Sequence, residues 1–250
     1  MAEGRLFGVS VGPGDPELLT LKALRVLQEA DVVAYPCTER GTSTALGIAA
    51  EHVAGKPQLR CLVPMTRDDR ALARAHAKAA DDICARLSQG LDVAYLCLGD
   101  ASVYASFGYL RDEVRKRGYQ TETIPGVTSF CAAAARLQQP LCEDDGRLVI
   151  ASARDERLDE VLDLTATKVL MKPERSLQSV REALGKRNLL DATHTMTRCG
   201  YDDEQIQEGV PADASDYFSL VIVDGAPHAP HPPAYAQAPH RTSDAMIEQA

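Results

Sequence analysis

Short apolar runs alternate with amphipathic segments along residues 1–224. Residues 6–11 and 93–98 are largely hydrophobic, as expected of strands buried on both faces of a sheet. Apolar residues at helical spacing predict helices over 71–89 and 103–114. Further strands are predicted over residues 31–36, 119–125, 147–151, 168–171, 192–196 and 218–223. This alternation predicts an α/β fold with mixed, largely parallel sheets.

The first predicted strand ends in a glycine-rich turn, Gly12-Pro13-Gly14. Asp15 follows at a position typical of a helix N-cap, and Pro16 stands at the first helical position. The apolar stripe of the predicted helix consists of Leu18, Leu21, Leu24 and Leu27. Such a turn is where α/β folds bind ligands, although for one isolated turn a plain strand-to-helix connection is the simpler interpretation.

The chain divides by pattern into three parts. We predict an N-terminal α/β domain over residues 1–119, a second α/β domain over 120–224 and a mobile tail over 225–250. The tail is rich in proline and has no hydrophobic period. A metal site is the sharper interpretation of its histidines, but histidines scattered between prolines are more typical of a solvent-exposed segment. These histidines are His228, His231 and His240.

The charge balance excludes some classes of partner. The chain carries 27 Lys+Arg against 36 Asp+Glu, a net charge of −9, which argues against nucleic acid or an anionic membrane surface. No apolar run approaches the ~18 residues of a membrane span, and the first five residues lack the layout of a signal peptide. Seven cysteines without metal-ligand spacing indicate free thiols and no structural metal. We therefore expect a cytoplasmic protein.

Two glycine turns, at Gly12 and at Gly99, are candidates for phosphate binding. A Walker loop requires Gly-Lys-Ser/Thr, which does not occur in the sequence. A dinucleotide fingerprint that starts at Gly12 requires a small residue at position 17, where Glu17 stands. Neither nucleotide-binding motif fits.

Three motifs together are more specific. They are residues 11–23 (Val-Gly-Pro-Gly-Asp-Pro-Glu-Leu-Leu-Thr-Leu-Lys-Ala), residues 99–104 (Gly-Asp-Ala-Ser-Val-Tyr) and residues 124–129 (Ile-Pro-Gly-Val-Thr-Ser). In this order they resemble the signatures of the tetrapyrrole methylases, S-adenosylmethionine-dependent enzymes that methylate corrin and sirohaem precursors. The resemblance covers nearly all of residues 1–224. The sequence departs from the family pattern at Ala101, where proline is usual, and at Ser10, where glycine is usual.

Within the family, residues 64–68, 98–110 and 128–137 are most similar to the subfamily that methylates precorrin-2 at C-20. The resemblance therefore implies S-adenosylmethionine as cofactor, and precorrin-2 or cobalt-precorrin-2 as substrate. It also implies a homodimer of two-domain α/β chains, with the active site in the cleft between the domains. Because Ala101 lacks the rigid ring of proline, its loop is expected to be looser.

The resemblance also implies which residues contact the cofactor. The matched positions are Leu98, Gly99, Asp100, Val103, Thr128 and Ser129, with Met171 on a later strand. Thr128 and Ser129 stand at a predicted helix start, where free N–H groups bind a carboxylate. Asp100 fits a helix N-cap as well, and Met171 fits an ordinary core thioether.

Methyl transfer of this kind depends mainly on alignment in a pocket shielded from water. The sequence identifies no catalytic base. Asp15 is a weak candidate because its turn faces the predicted crevice, and His194 is more typical of a packed histidine. The implied substrate is a polycarboxylate, so an acidic protein must concentrate positive charge locally. Candidate cations, each equally well explained as a surface residue, are Arg40, Arg67, Arg70 and Arg136.

Two alternatives stay open at this point. One is a family member that methylates another macrocycle carbon, a modified histidine on a protein, or ribosomal RNA. The other is a tetrapyrrole-binding module without turnover, for which Ala101 is the sole support.

Overall fold

A computed structural model describes residues 3–39, 41–64, 66, 68–212 and 218–225. The strands in this part are β1 (Leu6–Ser10), β2 (Val32–Cys37), β3 (Gln58–Leu62), β4 (Val93–Cys97), β5 (Thr121–Ile124), β6 (Leu148–Ser152), β7 (Thr167–Met171), β8 (Thr193–Thr197), β9 (Gln205–Glu208) and β10 (Ser219–Val223). The α-helices are α1 (Leu21–Glu29), α2 (Thr44–Ala49), α3 (Asp69–Leu87), α4 (Phe107–Lys116), α5 (Ser129–Leu137), α6 (Leu158–Leu162) and α7 (Leu177–Gly185). Short 3-10 helices lie at Pro16–Leu18, Ala50–His52, Pro173–Arg175 and Leu190–Ala192.

The first sheet has the strand order β3-β2-β4-β1-β5, and all of its pairs are parallel. Parallel neighbours require crossover connections, which place helices on both faces of the sheet. α3 and α4 cover the face that carries Leu6 and Tyr95. α1 and α2 cover the opposite face with Val9 and Leu96. β1 and β4 are therefore buried on both faces, and their carboxyl ends meet at one edge of the sheet.

The second sheet has the order β6-β7-β10-β8-β9. The β6–β7 pair is parallel, and the other three pairs are antiparallel. α6 and α7 pack on one face, and α5 packs on the other through Phe130 and Ala133. The predicted fold class, α/β with mixed and largely parallel sheets, is confirmed, with most of the parallel pairs in the first sheet.

The connection between the sheets lies slightly later than the sequence indicates. β5 pairs with β1 and so belongs to the first sheet, whereas the predicted division after residue 119 assigns it to the second unit. α5, which starts at Ser129, already packs on the second sheet. The chain therefore passes from one sheet to the other between Ile124 and Ser129.

The first predicted helix is corrected by the structure. Asp15 does act as an N-cap, but of the short 3-10 helix Pro16–Leu18, which ends where Leu19 is extended (φ −63°, ψ 130°). Thr20 then caps α1, so the helix begins at Leu21. This shift turns Leu21 outward to 86% exposure. The buried face of α1 consists of Ala23, Val26 and Leu27 rather than of a leucine stripe.

Some predictions fall outside the described residues, including most of the predicted tail, with its three histidines. In the described ranges, no helix has the length and apolar character needed to cross a membrane. Within the same ranges, no three His, Cys, Asp or Glu side chains form a group that could hold a metal ion.

Candidate functional site

The turns after β1 and β4 pair with each other. Gly12 N donates to Gly99 O at 3.2 Å, and Gly99 N donates to Gly12 O at 2.8 Å. Both residues have a left-handed backbone, with φ +79° at Gly12 and +69° at Gly99. Glycine adopts this conformation without the penalty that a Cβ would add. The first two sequence motifs therefore meet in one short bridge.

Asp100 joins this bridge to the third motif. One carboxylate oxygen accepts from the backbone N–H of Ser102 at 2.8 Å and from the Ser102 hydroxyl, and the other accepts from Gly126 N at 2.8 Å. Burial alone would raise the pKa of Asp100, but these hydrogen bonds outweigh it and hold the pKa below its usual value. The ionised carboxylate of Asp100 thus connects two loops, and both of its oxygens already accept hydrogen bonds within the protein.

Ser10 also connects the loops that follow β4 and β5. Its side chain is fully buried at the end of β1. The hydroxyl donates to Ile124 O at 2.7 Å and accepts from Ala101 N at 2.9 Å. Two of the residues that depart from the family pattern, Ser10 and Ala101, are therefore bonded to each other. Ala101 has a buried N–H that proline lacks, and Ser10 supplies the acceptor that this N–H needs.

A cavity of about 430 Å³ opens beside this junction, between the carboxyl edge of the first sheet and the second sheet. Its volume is within the range of small-molecule sites. All seven positions that the resemblance assigns to the cofactor line it: Leu98, Gly99, Asp100, Val103, Thr128, Ser129 and Met171. A Cβ added at Gly99 would meet no heavy atom within 4 Å, so the backbone there is open to a ligand.

The start of α5 supplies the donors of the cavity. Thr128 is the N-cap, and its Oγ1 accepts from Cys131 N at 3.4 Å. Ser129 is the first helical residue, as predicted. The N–H groups in the first turn of a helix have no partner within the helix and favour an anionic ligand. Thr128 and Ser129 both line the cavity, so the N–H groups of this turn other than that of Cys131 can face a carboxylate.

Most other polar groups of the cavity are neutral. Burial raises the pKa of the Cys97 thiol and of the Tyr95 hydroxyl well above their ordinary values. Burial, with a smaller effect of nearby Glu204, raises the pKa of Cys199 to about 11. These groups stay protonated near pH 7 and are poor nucleophiles and bases. Among the described lining residues, these groups are therefore suited to orienting reactants rather than to attacking them or taking up protons.

The remaining sequence candidates lie apart from this lining. Asp15 caps its 3-10 helix and is 3.9 Å from Arg136, whose Nε is 3.3 Å from Glu204 Oε2. Arg136 is thus already paired with carboxylates. Arg70 is exposed in the first turn of α3, and Arg40 and Arg67 lie outside the described residues. His194 is partly buried on β8, with Nδ1 4.0 Å from Asp224 Oδ2.

Among the lining residues to which the sequence assigns no role are Tyr104 and Lys172. The Lys172 Nζ lies 5.8 Å from the centre of the Tyr104 ring, so the pair connects the first and second halves of the chain. Tyr104 closes the second motif, and Lys172 directly follows Met171. Each residue directly follows a position that the family resemblance assigns to the cofactor, Val103 or Met171. The contact between Tyr104 and Lys172, however, depends on how the two sheets meet.

Residues 5–214 match the family model of the Tetrapyrrole (Corrin/Porphyrin) Methylases. The chain belongs to this family. The membership predicted from the three motifs is thereby confirmed, and the bridge at Gly12 and Gly99 is built from two of the family's signatures.

Several curated relatives of this tetrapyrrole methylase carry names related to cobalamin or its precursors. "Cobalamin biosynthesis protein CobIJ" of Mycobacterium bovis is 34% identical over 238 residues, which are 90% of this chain and 46% of that protein. The chain thus spans about half the length of this relative. "Precorrin-2 C(20)-methyltransferase" of a Sinorhizobium species is 33% identical, covering 89% of this chain and 96% of that protein. "Probable cobalt-precorrin-2 C(20)-methyltransferase" of Methanocaldococcus jannaschii is 30% identical, covering 88% and 95%.

Solved structures share the fold of this tetrapyrrole methylase. A uroporphyrin-III-C-methyltransferase from Thermus thermophilus is 29% identical with a TM-score of 0.63, covering 89% of this chain and 94% of that one. Another structure of the T. thermophilus enzyme is a complex with S-adenosyl homocysteine. It is 23% identical with a TM-score of 0.64, covering 88% of this chain and 97% of that one. At that identity the likeness shows the fold alone.

Proposed function

We propose that the chain is an S-adenosylmethionine-dependent methyltransferase that methylates precorrin-2, or its cobalt complex, at C-20 in cobalamin biosynthesis. The observation that carries the proposal is the cavity, because every residue matched to the family's cofactor contacts lies in its wall. Relatives named for this reaction on precorrin-2 and on cobalt-precorrin-2 support the substrate.

The volume and the hydrogen-bond donors of the cavity suit the proposed cofactor. S-adenosylmethionine supplies an electrophilic methyl group on a sulfonium when it is bound. Gly99 leaves its backbone accessible, and the first turn of α5 at Thr128 and Ser129 offers N–H groups to a carboxylate. Met171 and Val103 contribute apolar wall. The negative charge of Asp100 favours a cationic ligand nearby, while its hydrogen bonds keep the surrounding loops fixed.

We infer that the protein contributes mainly orientation and exclusion of water. Ser10 and Asp100 hold the loops after β1, β4 and β5 in one arrangement, so the wall is preorganised before a ligand binds. Among the described lining residues, Cys97, Cys199 and Tyr95 remain protonated, and Asp100 is a weak base. The proton released at C-20 therefore has no strong acceptor in this wall.

We further propose that the two sheets form two domains joined by residues 125–128, with the active site in the cleft between them. We also propose that the protein is cytoplasmic, as its cysteine usage suggests, and that it is a homodimer, as the family resemblance implies. The net charge of −9 supports a small-molecule substrate rather than nucleic acid.

The test combines cofactor binding with product analysis. Calorimetry should detect binding of S-adenosyl homocysteine, and incubation with S-adenosylmethionine should add the mass of one methyl group to precorrin-2 or cobalt-precorrin-2. Nuclear magnetic resonance of the product should place that methyl group on C-20. D100N should weaken cofactor binding, whereas the same change at exposed Asp144, D144N, should not.

Two results would overturn the proposal. Methylation at another carbon would assign the chain to a different reaction of the family. Tight binding of the macrocycle without any cofactor affinity would instead indicate a tetrapyrrole-binding module without turnover. Parallel assays with metal-free and cobalt-loaded substrate identify which of the two forms the enzyme uses.

A further inference from the structure

Lys172 is held in an unusual backbone conformation directly after β7. Its φ is +58°, in the left-handed region that non-glycine residues rarely adopt. A glycine or an asparagine would occupy this position at lower cost. Strained residues of this kind persist where the surrounding structure holds them, and they cluster at ligand sites.

The ammonium group of Lys172 lacks an ion-pair partner in the described part of the chain. No described carboxylate lies within 4 Å of it. The nearby guanidinium of Arg154 pairs with Oε1 of Glu174, and Oε2 of Glu174, although buried without a hydrogen-bond partner among the described residues, makes no ion pair with Lys172. Burial, and then the charge of Arg154, lower the pKa of Lys172, which shows that the surroundings do not compensate its charge.

Lys172 and Asp100 are the charged side chains of the described cavity wall. Both oxygens of Asp100 are bonded to Ser102 and Gly126, so Asp100 acts within the protein wall. The ammonium group of Lys172, by contrast, makes no ion pair with a described carboxylate. It is therefore the cation that this part of the wall presents to a ligand.

Tyr104 lies beside the lysine in the cavity wall. Its ring lies 5.8 Å from Nζ, and its own backbone is left-handed, with φ +49°. A cation over an aromatic face is attracted to the ring. That attraction is weaker than a charge-assisted hydrogen bond to a carboxylate. The ring thus positions the ammonium group without satisfying its three donors.

We propose that Lys172, positioned by Tyr104, binds a carboxylate of a ligand in this cavity. Under the proposed function, on which the ligand's identity rests, two sources have this chemistry. One is the carboxylate of the cofactor's amino-acid part, and the other is a carboxylate side chain of the macrocycle. The geometry fixes the chemical group, and the experiment distinguishes the two sources.

The first arm measures binding without turnover. Calorimetry compares wild type, K172Q and the control K186Q, in which an exposed lysine loses the same charge. The probes are S-adenosyl homocysteine and methylthioadenosine, which lacks the amino-acid carboxylate. If the cofactor carboxylate is the ligand, K172Q weakens S-adenosyl homocysteine binding on the order of tenfold or more and leaves methylthioadenosine binding unchanged.

The second arm measures the macrocycle. If a macrocycle carboxylate is the ligand, K172Q leaves S-adenosyl homocysteine binding unchanged and raises the KM for precorrin-2 or its cobalt form on the order of tenfold. Y104F retains the ring and should resemble wild type in either arm. Y104L removes the ring and should shift the affected constant in the same direction as K172Q, by a smaller factor.

The inference is wrong if K172Q changes neither the affinity for S-adenosyl homocysteine nor the KM for the macrocycle. K172N, which suits a left-handed backbone, replaces K172Q if the latter fails to fold. A wild-type chain that binds both ligands but transfers no methyl group refutes the proposed function and leaves the carboxylate site testable by binding. A wild-type chain that binds neither ligand refutes both.

Discussion

The hydrogen bond between Ser10 and Ala101 predicts strong energetic coupling between two buried positions. We consider S10G, A101P and the double variant, which together restore the residues usual in the family. The Ser10 hydroxyl receives the Ala101 N–H at 2.9 Å and donates to Ile124 O at 2.7 Å. S10G removes both bonds and leaves a buried N–H without this acceptor, at a cost of about 1–3 kcal/mol. Added backbone freedom costs roughly 0.5–1 kcal/mol more.

A101P alone is expected to be worse for a steric reason. The proline Cδ would be bonded to the nitrogen at ~1.5 Å, in place of the hydrogen that points at Ser10 Oγ. Because that oxygen is 2.9 Å from the nitrogen, Cδ would lie roughly 1.5 Å from it, far inside van der Waals contact. We expect a cost of about 3 kcal/mol or more. In the double variant the glycine removes the clash, and the proline removes the orphaned donor.

Urea unfolding followed by circular dichroism of the four proteins measures the coupling. The double variant should be at least ~2 kcal/mol more stable than the sum of the single changes predicts. S-adenosyl homocysteine binding should follow the same order, because both positions support the loop that carries Asp100. Additivity within about 0.5 kcal/mol would refute the reasoning, since it would show that the two positions act independently.

Three further predictions concern single groups of the site. Because hydrogen bonds lower the pKa of Asp100, its carboxylate contributes fully to stability above about pH 4, and this contribution is lost as the pH falls toward the folded-state pKa. The urea concentration at half-unfolding should therefore fall less steeply with decreasing pH in D100N than in the wild type. G99A should cost ~1–2 kcal/mol in urea unfolding because φ is +69°, whereas G108A, within α4, should not destabilise the protein. Iodoacetamide at pH 8 should label exposed Cys131 well before Cys199, as measured by peptide mass spectrometry.

The sequence predicts buried elements better than edge elements. β4 is buried throughout, so its continuous apolar run is a clear signal. β3 and β9 are edge strands with exposed residues such as Arg60 and Gln205, and their mixed pattern predicts no strand. The predicted start of α1 is wrong because an extended residue at Leu19 separates two caps, and one N-cap signal does not reveal a second.

The site shows the same division between local and distant signals. Leu98, Gly99 and Asp100 stand in one contiguous motif, so the family resemblance is enough to group them at one site, and all three line the cavity. That these residues contact the cofactor stays a prediction. The pairs Ser10–Ala101 and Tyr104–Lys172 join segments far apart in the chain, and no local pattern indicates such a meeting.

The strand order of the first sheet also determines when the cavity can exist during synthesis. β1 is the first strand of this sheet to be made, but its two neighbours are β4 and β5. This inner strand therefore gains its last partner only when Ile124 has left the ribosome. The second sheet draws its strands from residues 148–223 and supplies Met171 and Leu220 to the cavity. A nascent chain that ends before β6 therefore holds every strand of the first sheet but only part of the cavity wall. Ligand binding thus becomes complete only after β10 has been made, and its gain in stability is reserved for chains that extend past Val223.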